Sequence, residues 1–270
     1  MNDIATTDGL RIRVEGKQDP TLLFVHGFGC SLEDWDKQIA ALAGTFRCVA
    51  LDLPGHGGSA PPPQPTLAAL ARAVTEAKNR YGGRRVILVG HSLGAKVIRE
   101  AYAESPASVA GMVFIEGAYY DGDREALVRR AREGVDSEGF AAFAHRHFDA
   151  MFVEGSDPEL RRSVLARIRL LEPVFARALY LEAVGWDPLR GQETLRDITV
   201  PVLVLQSTYN DASFQRRPLE PGMRTPFMRQ VAYWLPQAEL QVIPGHGHFA
   251  PLEAAETVNE ALHAFAVRAN

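Results

Sequence analysis

Short apolar runs bounded by glycine or proline alternate along the chain with stretches of helical periodicity. A strand that is covered on both faces of a sheet is apolar throughout, so each run predicts a buried strand. The runs occupy residues 22–25, 48–51, 86–89, 111–115, 202–205 and 240–243. Ahead of them, Leu10, Ile12 and Val14 alternate with charged residues, as in an antiparallel edge hairpin. Strands that alternate with helices predict an α/β protein with a parallel sheet between helices.

The alternation stops in one long segment, 117–196, which contains no strand-like run and is rich in arginine and aromatic residues. A helical segment of this kind between two strands is typical of a subdomain inserted into an α/β core. We therefore predict a helical cap at 117–196 and a core domain formed by 1–116 together with 197–270.

The composition excludes several classes of function. Of 270 residues, 46% are hydrophobic and 23% charged, as in a globular domain. The formal net charge of -4 gives no broad attraction to a phosphate backbone, so we expect no nucleic-acid partner. The two cysteines, Cys30 and Cys48, are too few for a disulfide framework. Without a signal-like N-terminus or an apolar run of ~18 residues, we expect a cytoplasmic monomer or homodimer with no membrane partner.

One segment carries the motif of a catalytic nucleophile. Gly90-His91-Ser92-Leu93-Gly94 joins an apolar run to a helical pattern, which is the strand–turn–helix context of the G-x-S-x-G elbow. The glycines avoid collisions in this sharp turn, and the serine projects from the sheet edge at a helix N-terminus. We therefore predict that Ser92 is a nucleophile.

A loop that can supply main-chain donors follows the first buried run, in the sequence His26-Gly27-Phe28-Gly29. Each donor to a developing oxyanion is worth ~3 to 4 kcal/mol of transition-state stabilisation. We predict that the N–H groups of Phe28 and Leu93 form the oxyanion hole. His26 is expected to hydrogen-bond within its own loop.

These motifs, together with two further segments, resemble the α/β-hydrolase superfamily. LDLPGHGGS at 51–59 resembles the turn after the family's fourth strand, and IPGHGHFAPLE at 243–253 resembles its histidine loop. The resemblance covers nearly all of the chain outside the predicted cap. It implies the α/β-hydrolase fold, in which a mostly parallel eight-stranded sheet is flanked by helices and carries an inserted helical cap.

The general base is expected in the histidine loop. A serine hydroxyl needs an adjacent base to take its proton, and the order nucleophile, acid, histidine places that base after the last strand. Both His246 and His248 lie there. The family pattern aligns with Gly247, His248, Phe249 and Glu253, so the resemblance implies that His248 is the base and His246 a loop residue.

The acid has two candidates, because the superfamily takes it from either of two strand ends. Most members use an aspartate after the penultimate strand, here Asp211, although Gln206-Ser207 replaces the usual glycine turn and one extra residue precedes the aspartate. Other members use the end of the strand after the elbow, where Glu116 lies. A glutamate that ends an apolar strand needs a partner to offset its desolvation, and an imidazole is such a partner. We prefer Glu116 and keep Asp211 open.

A serine nucleophile predicts acyl transfer. We expect a carboxylic ester hydrolase that cleaves small to medium apolar esters or lactones through an acyl-enzyme intermediate. A C–C bond hydrolase or a cofactor-free perhydrolase or haloperoxidase can use the same residues. A non-catalytic ligand receptor is an alternative of another class. No metal or organic cofactor is implied, because no cluster has ligand spacing.

The substrate pocket is expected between the elbow and the cap, with large apolar side chains in its wall. The candidates are Trp35, Phe143, Met151, Phe152, Trp186 and Phe249. Three arginines, Arg216, Arg217 and Arg224, follow Asp211 and can either meet an anionic substrate or face solvent. We expect them to form a solvated face.

Overall fold

Eight strands form one sheet in the computed structural model, which describes residues 3–5, 9–211 and 216–269. In chain order, the ten strands of the described residues are β1 (Asp3–Ala5), β2 (Arg11–Glu15), β3 (Thr21–Val25), β4 (Arg47–Leu51), β5 (Val86–His91), β6 (Val109–Ile115), β7 (Val202–Gln206), β8 (Thr208–Asn210), β9 (Arg216–Pro218) and β10 (Glu239–Val242). Strands β8 and β9 pair only with each other, as a separate antiparallel ribbon. The sheet has the order β1-β2-β4-β3-β5-β6-β7-β10. Strand β2 pairs antiparallel with β1 and β4, and the other neighbours are parallel. The predicted sheet is therefore confirmed.

Helices connect these strands. They are α1 (Asp36–Leu42), α2 (Leu67–Tyr81), α3 (Leu93–Glu104), α4 (Arg124–Glu138), α5 (Phe140–Asp149), α6 (Pro158–Arg167), α7 (Pro173–Trp186), α8 (Gln192–Arg196), α9 (Pro226–Trp234), α10 (Ala250–Glu253) and α11 (Ala255–Arg268). Several begin at a side-chain cap followed by proline, as at Asp157 before Pro158. Within the described residues, no helix is both long and apolar enough to cross a membrane.

The two faces of the sheet bury separate hydrophobic clusters. Along β3, Leu23 and Val25 join the cluster that includes α2 and α3, whereas Leu22 and Phe24 join the cluster that includes α1 and α11. All four side chains have no exposed surface. Burial on both faces explains why this strand is an unbroken apolar run rather than an alternating pattern.

The segment 117–196 lies between β6 and β7 and contains α4 to α8 but no strand. Three ion pairs among the described residues fasten it to the remainder of the chain, and one of them joins Asp187 to Lys96. Arg167 makes a bidentate contact with Asp34, at 2.6 and 3.0 Å, and Arg190 makes another with Glu100, at 2.9 Å for both bonds. The division of the chain into a core and a cap stays a prediction.

Candidate active site

Ser92 lies in the sharp turn between β5 and α3. Its φ of 53° and ψ of -114° are in a region that residues with a side chain rarely adopt. The turn requires glycine on both sides. A Cβ atom at Gly94 would overlap the carbonyl oxygen of Val25, and one at Gly90 would lie 2.5 Å from the carbonyl oxygen of Gly94. The motif thus places the serine hydroxyl at the carboxyl end of β5.

One hydrogen-bonded chain joins three of the predicted residues. His248 Nε2 lies 2.9 Å from Ser92 Oγ, and His248 Nδ1 lies 2.9 Å from Glu116 Oε2. The side chain of His248 is 5% exposed and that of Glu116 is 0% exposed. Glu116 directly follows β6, the neighbour of β5, and also has a positive φ of 55°. Strained backbone of this kind is held only where surrounding contacts fix it, and it clusters at functional sites.

The Glu116 carboxylate is held by the turn after β7. It accepts hydrogen bonds from the N–H groups of Ser207 and Thr208 and from both of their hydroxyls. This turn is the segment in which Gln206-Ser207 replaces the glycine turn usual in the superfamily. Burial raises the pKa of Glu116, whereas the charge of Arg216 and these hydrogen bonds act against that rise.

Asp211, the other candidate acid, makes a different contact. Its carboxylate lies 3.0 Å from Nε of Arg217, and its side chain is 26% exposed. The carboxylate at His248 Nδ1 belongs to Glu116. The structure therefore brings Glu116, and not Asp211, to the imidazole.

Three further contacts fix the loop that carries His248. Glu253 accepts hydrogen bonds from the N–H groups of Gly247, at 3.1 Å, and Phe249, at 3.2 Å. His91 Nε2 lies 2.8 Å from the carbonyl oxygen of His248. Glu253 thus fixes the two residues that flank His248, and His91 of the elbow fixes the backbone of His248 itself.

The other two loop histidines make local contacts. His26 Nε2 accepts the N–H of Leu53 at 2.9 Å, so its Nδ1 carries the proton and donates to the carbonyl oxygen of Gly27 at 2.8 Å. His246 is half-buried, and its Nδ1 lies 2.9 Å from the carbonyl oxygen of Pro244. Neither ring contacts Ser92.

The predicted oxyanion donors lie beside the elbow. Leu93 is the first residue of α3, where a helix leaves its N–H groups without an intrahelical acceptor. Phe28 lies in the turn closed by the hydrogen bond from Cys30 N–H to the carbonyl oxygen of Gly27, at 3.2 Å. Neither the Phe28 nor the Leu93 N–H donates to another described residue. Both amides are therefore left without an acceptor among the described residues.

Two of the predicted pocket residues are packed among core side chains. Trp35 is 1% exposed and packs against Phe24, with ring centroids 5.0 Å apart, inside a core cluster. Trp186 is 3% exposed; its Nε1 donates to Glu100 at 2.7 Å, and its ring lies 4.8 Å from the guanidinium carbon of Arg99. Both side chains make structural contacts, and their place in a substrate pocket stays a prediction.

The remaining pocket candidates are buried around the histidine loop and the neighbouring helix α5. They are Phe143, Met151, Phe152 and Phe249. Phe152 and Phe249 stack with ring centroids 5.0 Å apart, and Phe28 packs against their cluster. Phe143 lies 4.9 Å from Tyr180, whose ring is 6.3 Å from that of Phe28. An aromatic wall therefore extends from the predicted oxyanion loop to the histidine loop.

Arg216 is a charged residue of the site, although the sequence analysis preferred a solvated face for it. Its side chain is 16% exposed, and Nη1 lies 2.8 Å from Thr208 Oγ1, 3.0 Å from His248 Nδ1 and 3.6 Å from Glu116 Oε2. The pairing of β9 with β8 brings it there. Its neighbour Arg217 is 55% exposed. Successive side chains of a strand point to opposite sides, so recognising β9 as a strand would have predicted that one of the two arginines points inward.

The proton on the His248 ring is assigned from its neighbours. A carboxylate only accepts, so Nδ1 carries the proton toward Glu116, and Nε2 is left as an acceptor facing Ser92. Arg216 Nη1 then donates to Thr208 Oγ1. Burial, followed by the positive charge of Arg216 and by His147, holds the pKa of His248 well below 6.5. The imidazole is therefore neutral near neutral pH, and its Nε2 can accept a proton.

Fold and site together define a hydrolase of the α/β class, with a serine at the elbow after the central strand β5. The chain belongs to the Alpha/beta hydrolase family, whose model matches residues 22–261.

Individual relatives agree with this membership. The dihydrolipoyllysine-residue acetyltransferase component of the acetoin cleaving system of Pseudomonas putida is 32% identical over 259 residues, which are 93% of this chain and 64% of that protein. The chain thus spans less than two thirds of that relative. Pimeloyl-[acyl-carrier protein] methyl ester esterase of Methylococcus capsulatus is 31% identical over 208 residues, which are 73% of this chain and 78% of that protein. A malate-bound thermophilic esterase from Thermogutta terrifontis superposes with a TM-score of 0.79 at 24% identity, covering 99% of this chain and 98% of that chain.

Proposed function

We propose that the protein hydrolyses carboxylic esters or lactones of small to medium size through an acyl-enzyme formed on Ser92. The observation that carries this proposal is the hydrogen-bonded chain from Ser92 Oγ through His248 to Glu116, with 2.9 Å at each contact. A hydroxyl next to an imidazole that is oriented by a buried carboxylate is the arrangement that activates serine for acyl transfer. Similarity to a methyl ester esterase supports the same class of reaction.

The proposed reaction begins when Ser92 Oγ attacks the ester carbonyl carbon and His248 Nε2 takes the hydroxyl proton. The carbonyl oxygen becomes an oxyanion, which the N–H groups of Phe28 and Leu93 receive. The bond to the alkoxide then breaks, and His248 returns the proton to the leaving group. Next, water gives a proton to His248 and attacks the acyl carbon. Collapse of the second oxyanion breaks the bond to Ser92 Oγ, which takes the proton back from His248, and releases the acid. Glu116 stabilises the imidazolium in both halves.

The aromatic residues between the Phe28 loop and the His248 loop favour a mainly apolar substrate. Aromatic side chains dominate the wall between the two loops, and such surfaces bind apolar groups by removing them from water. We therefore assign the acyl or alcohol group to the space beside Phe28, Phe143, Met151, Phe152 and Phe249.

A panel of p-nitrophenyl esters of rising acyl length tests the proposal. We expect turnover by the full chain and a loss of about 10⁴-fold or more in kcat for Ser92→Ala. Ser108→Ala is a matched control, because Ser108 also has a positive φ, of 65°, but is exposed and lies before β6. The control is expected to keep wild-type turnover.

Three outcomes contradict the proposal. Full activity of Ser92→Ala would exclude this serine as the nucleophile. Cleavage of a β-diketone without ester turnover would instead favour a C–C bond hydrolase. Tight binding of an ester without any turnover would favour a ligand receptor.

A further inference from the structure

The guanidinium of Arg216 contacts the residues of the site, although the proposed reaction does not require a cation there. One of its nitrogens, Nη1, makes every contact described above, to Thr208, His248 and Glu116. The reaction needs only an imidazole and a carboxylate behind Ser92, and an added cation beside the imidazole works against the imidazolium that forms. The proposed reaction therefore does not explain the position of Arg216.

The rest of the guanidinium is open. Nε and Nη2 of Arg216 make no hydrogen bond to any residue within 9–211 or 216–269, and the side chain is 16% exposed. A guanidinium carries five N–H donors in a planar fork, and this geometry matches the two oxygens of a carboxylate. Arg216 thus presents unused donors on a side chain whose remaining nitrogen is fixed.

When His248 is protonated, the charges around Arg216 have one negative group for two positive ones. Glu116 is the one carboxylate within ion-pair distance of Arg216 among the described residues, and it also faces His248. When His248 takes the Ser92 proton, two cations share this single carboxylate. A second carboxylate on Arg216 would restore the balance at the moment at which the imidazolium forms.

We propose that Arg216 binds a carboxylate of the substrate, so that the preferred substrates are esters or lactones that carry a free carboxylate. This inference rests on the hydrolase function proposed above and names its substrate class. Between Arg216 Nη1 and Ser92 Oγ lie one imidazole ring and two contacts, of 3.0 and 2.9 Å. The proposal therefore calls for a substrate whose free carboxylate is separated from the ester carbonyl by several bonds, enough to reach past the imidazole. His147, whose burial and proximity to Arg216 lower its pKa to about 4, adds a neutral ring to this side of the pocket.

Monoethyl esters of malonate, succinate, glutarate and adipate test the proposal against the diethyl esters of the same acids. The measured quantity is the ratio of kcat/KM for the monoester to kcat/KM for the diester, because this ratio cancels any general effect on His248. We expect the wild type to prefer one of the monoesters. In Arg216→Gln the ratio should fall about 10- to 100-fold, as for loss of hydrogen bonds to a charged group.

Arg217→Gln is the matched control. Arg217 is the next residue of β9, is 55% exposed and pairs with Asp211, so its loss should leave the ratio unchanged. Should Arg216→Gln not fold, Arg216→Lys keeps the charge but not the planar fork, and its ratio should lie below that of the wild type. An unchanged ratio in the folded Arg216 variant would overturn the carboxylate subsite while leaving the ester hydrolase intact.

Failure of the hydrolase proposal is recognised separately. If the wild type cleaves neither ester, calorimetry measures binding of monoethyl succinate to the wild type and to Arg216→Gln. Binding by the wild type that the variant loses would support the subsite without the reaction. Equal binding by both proteins, or none by either, would overturn the subsite.

Discussion

Replacement of Glu116 by glutamine removes one charge from the centre of the site at nearly constant shape. In the structure, Glu116 Oε2 lies 2.9 Å from His248 Nδ1, and neither side chain is more than 5% exposed. When Ser92 gives its proton to the imidazole, this carboxylate faces a full positive charge. The substitution therefore acts on the transition state more than on the resting enzyme.

The distance sets the magnitude of the effect. At an effective dielectric constant of about 20, two unit charges 2.9 Å apart attract by about 6 kcal/mol, which corresponds to about 10⁴-fold in rate. Asparagine in place of the triad aspartate of a serine protease has an effect of about the same size. The new amide would also turn an NH₂ group toward donors that now meet a carboxylate, at Thr208 and Arg216. We expect kcat to fall about 10⁴-fold.

The assay is the hydrolysis of a p-nitrophenyl ester at pH 8 by the wild type, Glu116→Gln and Asp211→Asn, with thermal melting to check that each protein is folded. Asp211→Asn is the control, because Asp211 pairs with the exposed Arg217 and should change kcat only slightly. A large loss in Asp211→Asn together with near-normal turnover in Glu116→Gln would refute the reasoning and make Asp211 the acid.

Three further substitutions and conditions have expected outcomes. Because the pKa of His248 is held well below 6.5, the acid limb of the kcat/KM profile should lie below pH 6.5. Arg216→Gln removes a positive charge beside the imidazole and should move this limb toward higher pH. A shift to lower pH would contradict the electrostatics. A methyl group in Gly94→Ala would overlap a backbone carbonyl of β3, so we expect loss of the folded state or a destabilisation above about 4 kcal/mol in urea unfolding; wild-type stability would contradict the close packing. Asp187→Asn breaks the buried ion pair with Lys96 and should lower the free energy of unfolding by about 3 to 5 kcal/mol; a change below about 1 kcal/mol would mean that the pair behaves as a surface contact.

The hydrophobic pattern predicted most of the sheet, because strands buried on both faces leave unbroken apolar runs in the sequence. Each of the six predicted runs overlaps a strand between β3 and β10. The ribbon formed by β8 and β9 was not predicted. Its strands have three residues each and include Arg216, Arg217 and Pro218, so neither length nor hydrophobicity marks them as strands.

Part of the candidate site could be predicted from the sequence, and part of it could not. The elbow around Ser92 could be located from the sequence, because its glycines are required by close backbone packing. The choice between Glu116 and Asp211 could not be made there, since both follow strands and only the pairing of the strands shows which carboxylate meets His248. The role of Arg216 depends on a contact across the ribbon, which leaves little trace in a single sequence.

The chemistry of a side chain does not by itself separate pocket from core. Trp35 and Trp186 are as apolar as the aromatic residues near the histidine loop. Each is instead placed by partners that are distant in sequence, Phe24 for the first and Glu100 for the second. Such contacts follow from the packing of helices on the sheet, which the sequence pattern alone does not specify.

Covalent trapping with diethyl p-nitrophenyl phosphate tests the central claim most directly, since this reagent phosphorylates an activated serine and releases p-nitrophenol. Intact-protein mass spectrometry should detect one diethylphosphoryl group per chain, and peptide mapping should place it on Ser92. The label should be absent from Ser92→Ala and form far more slowly in His248→Ala. An unlabelled wild type, a label on another residue, or an equal rate without His248 would contradict a hydroxyl activated by the imidazole beside it.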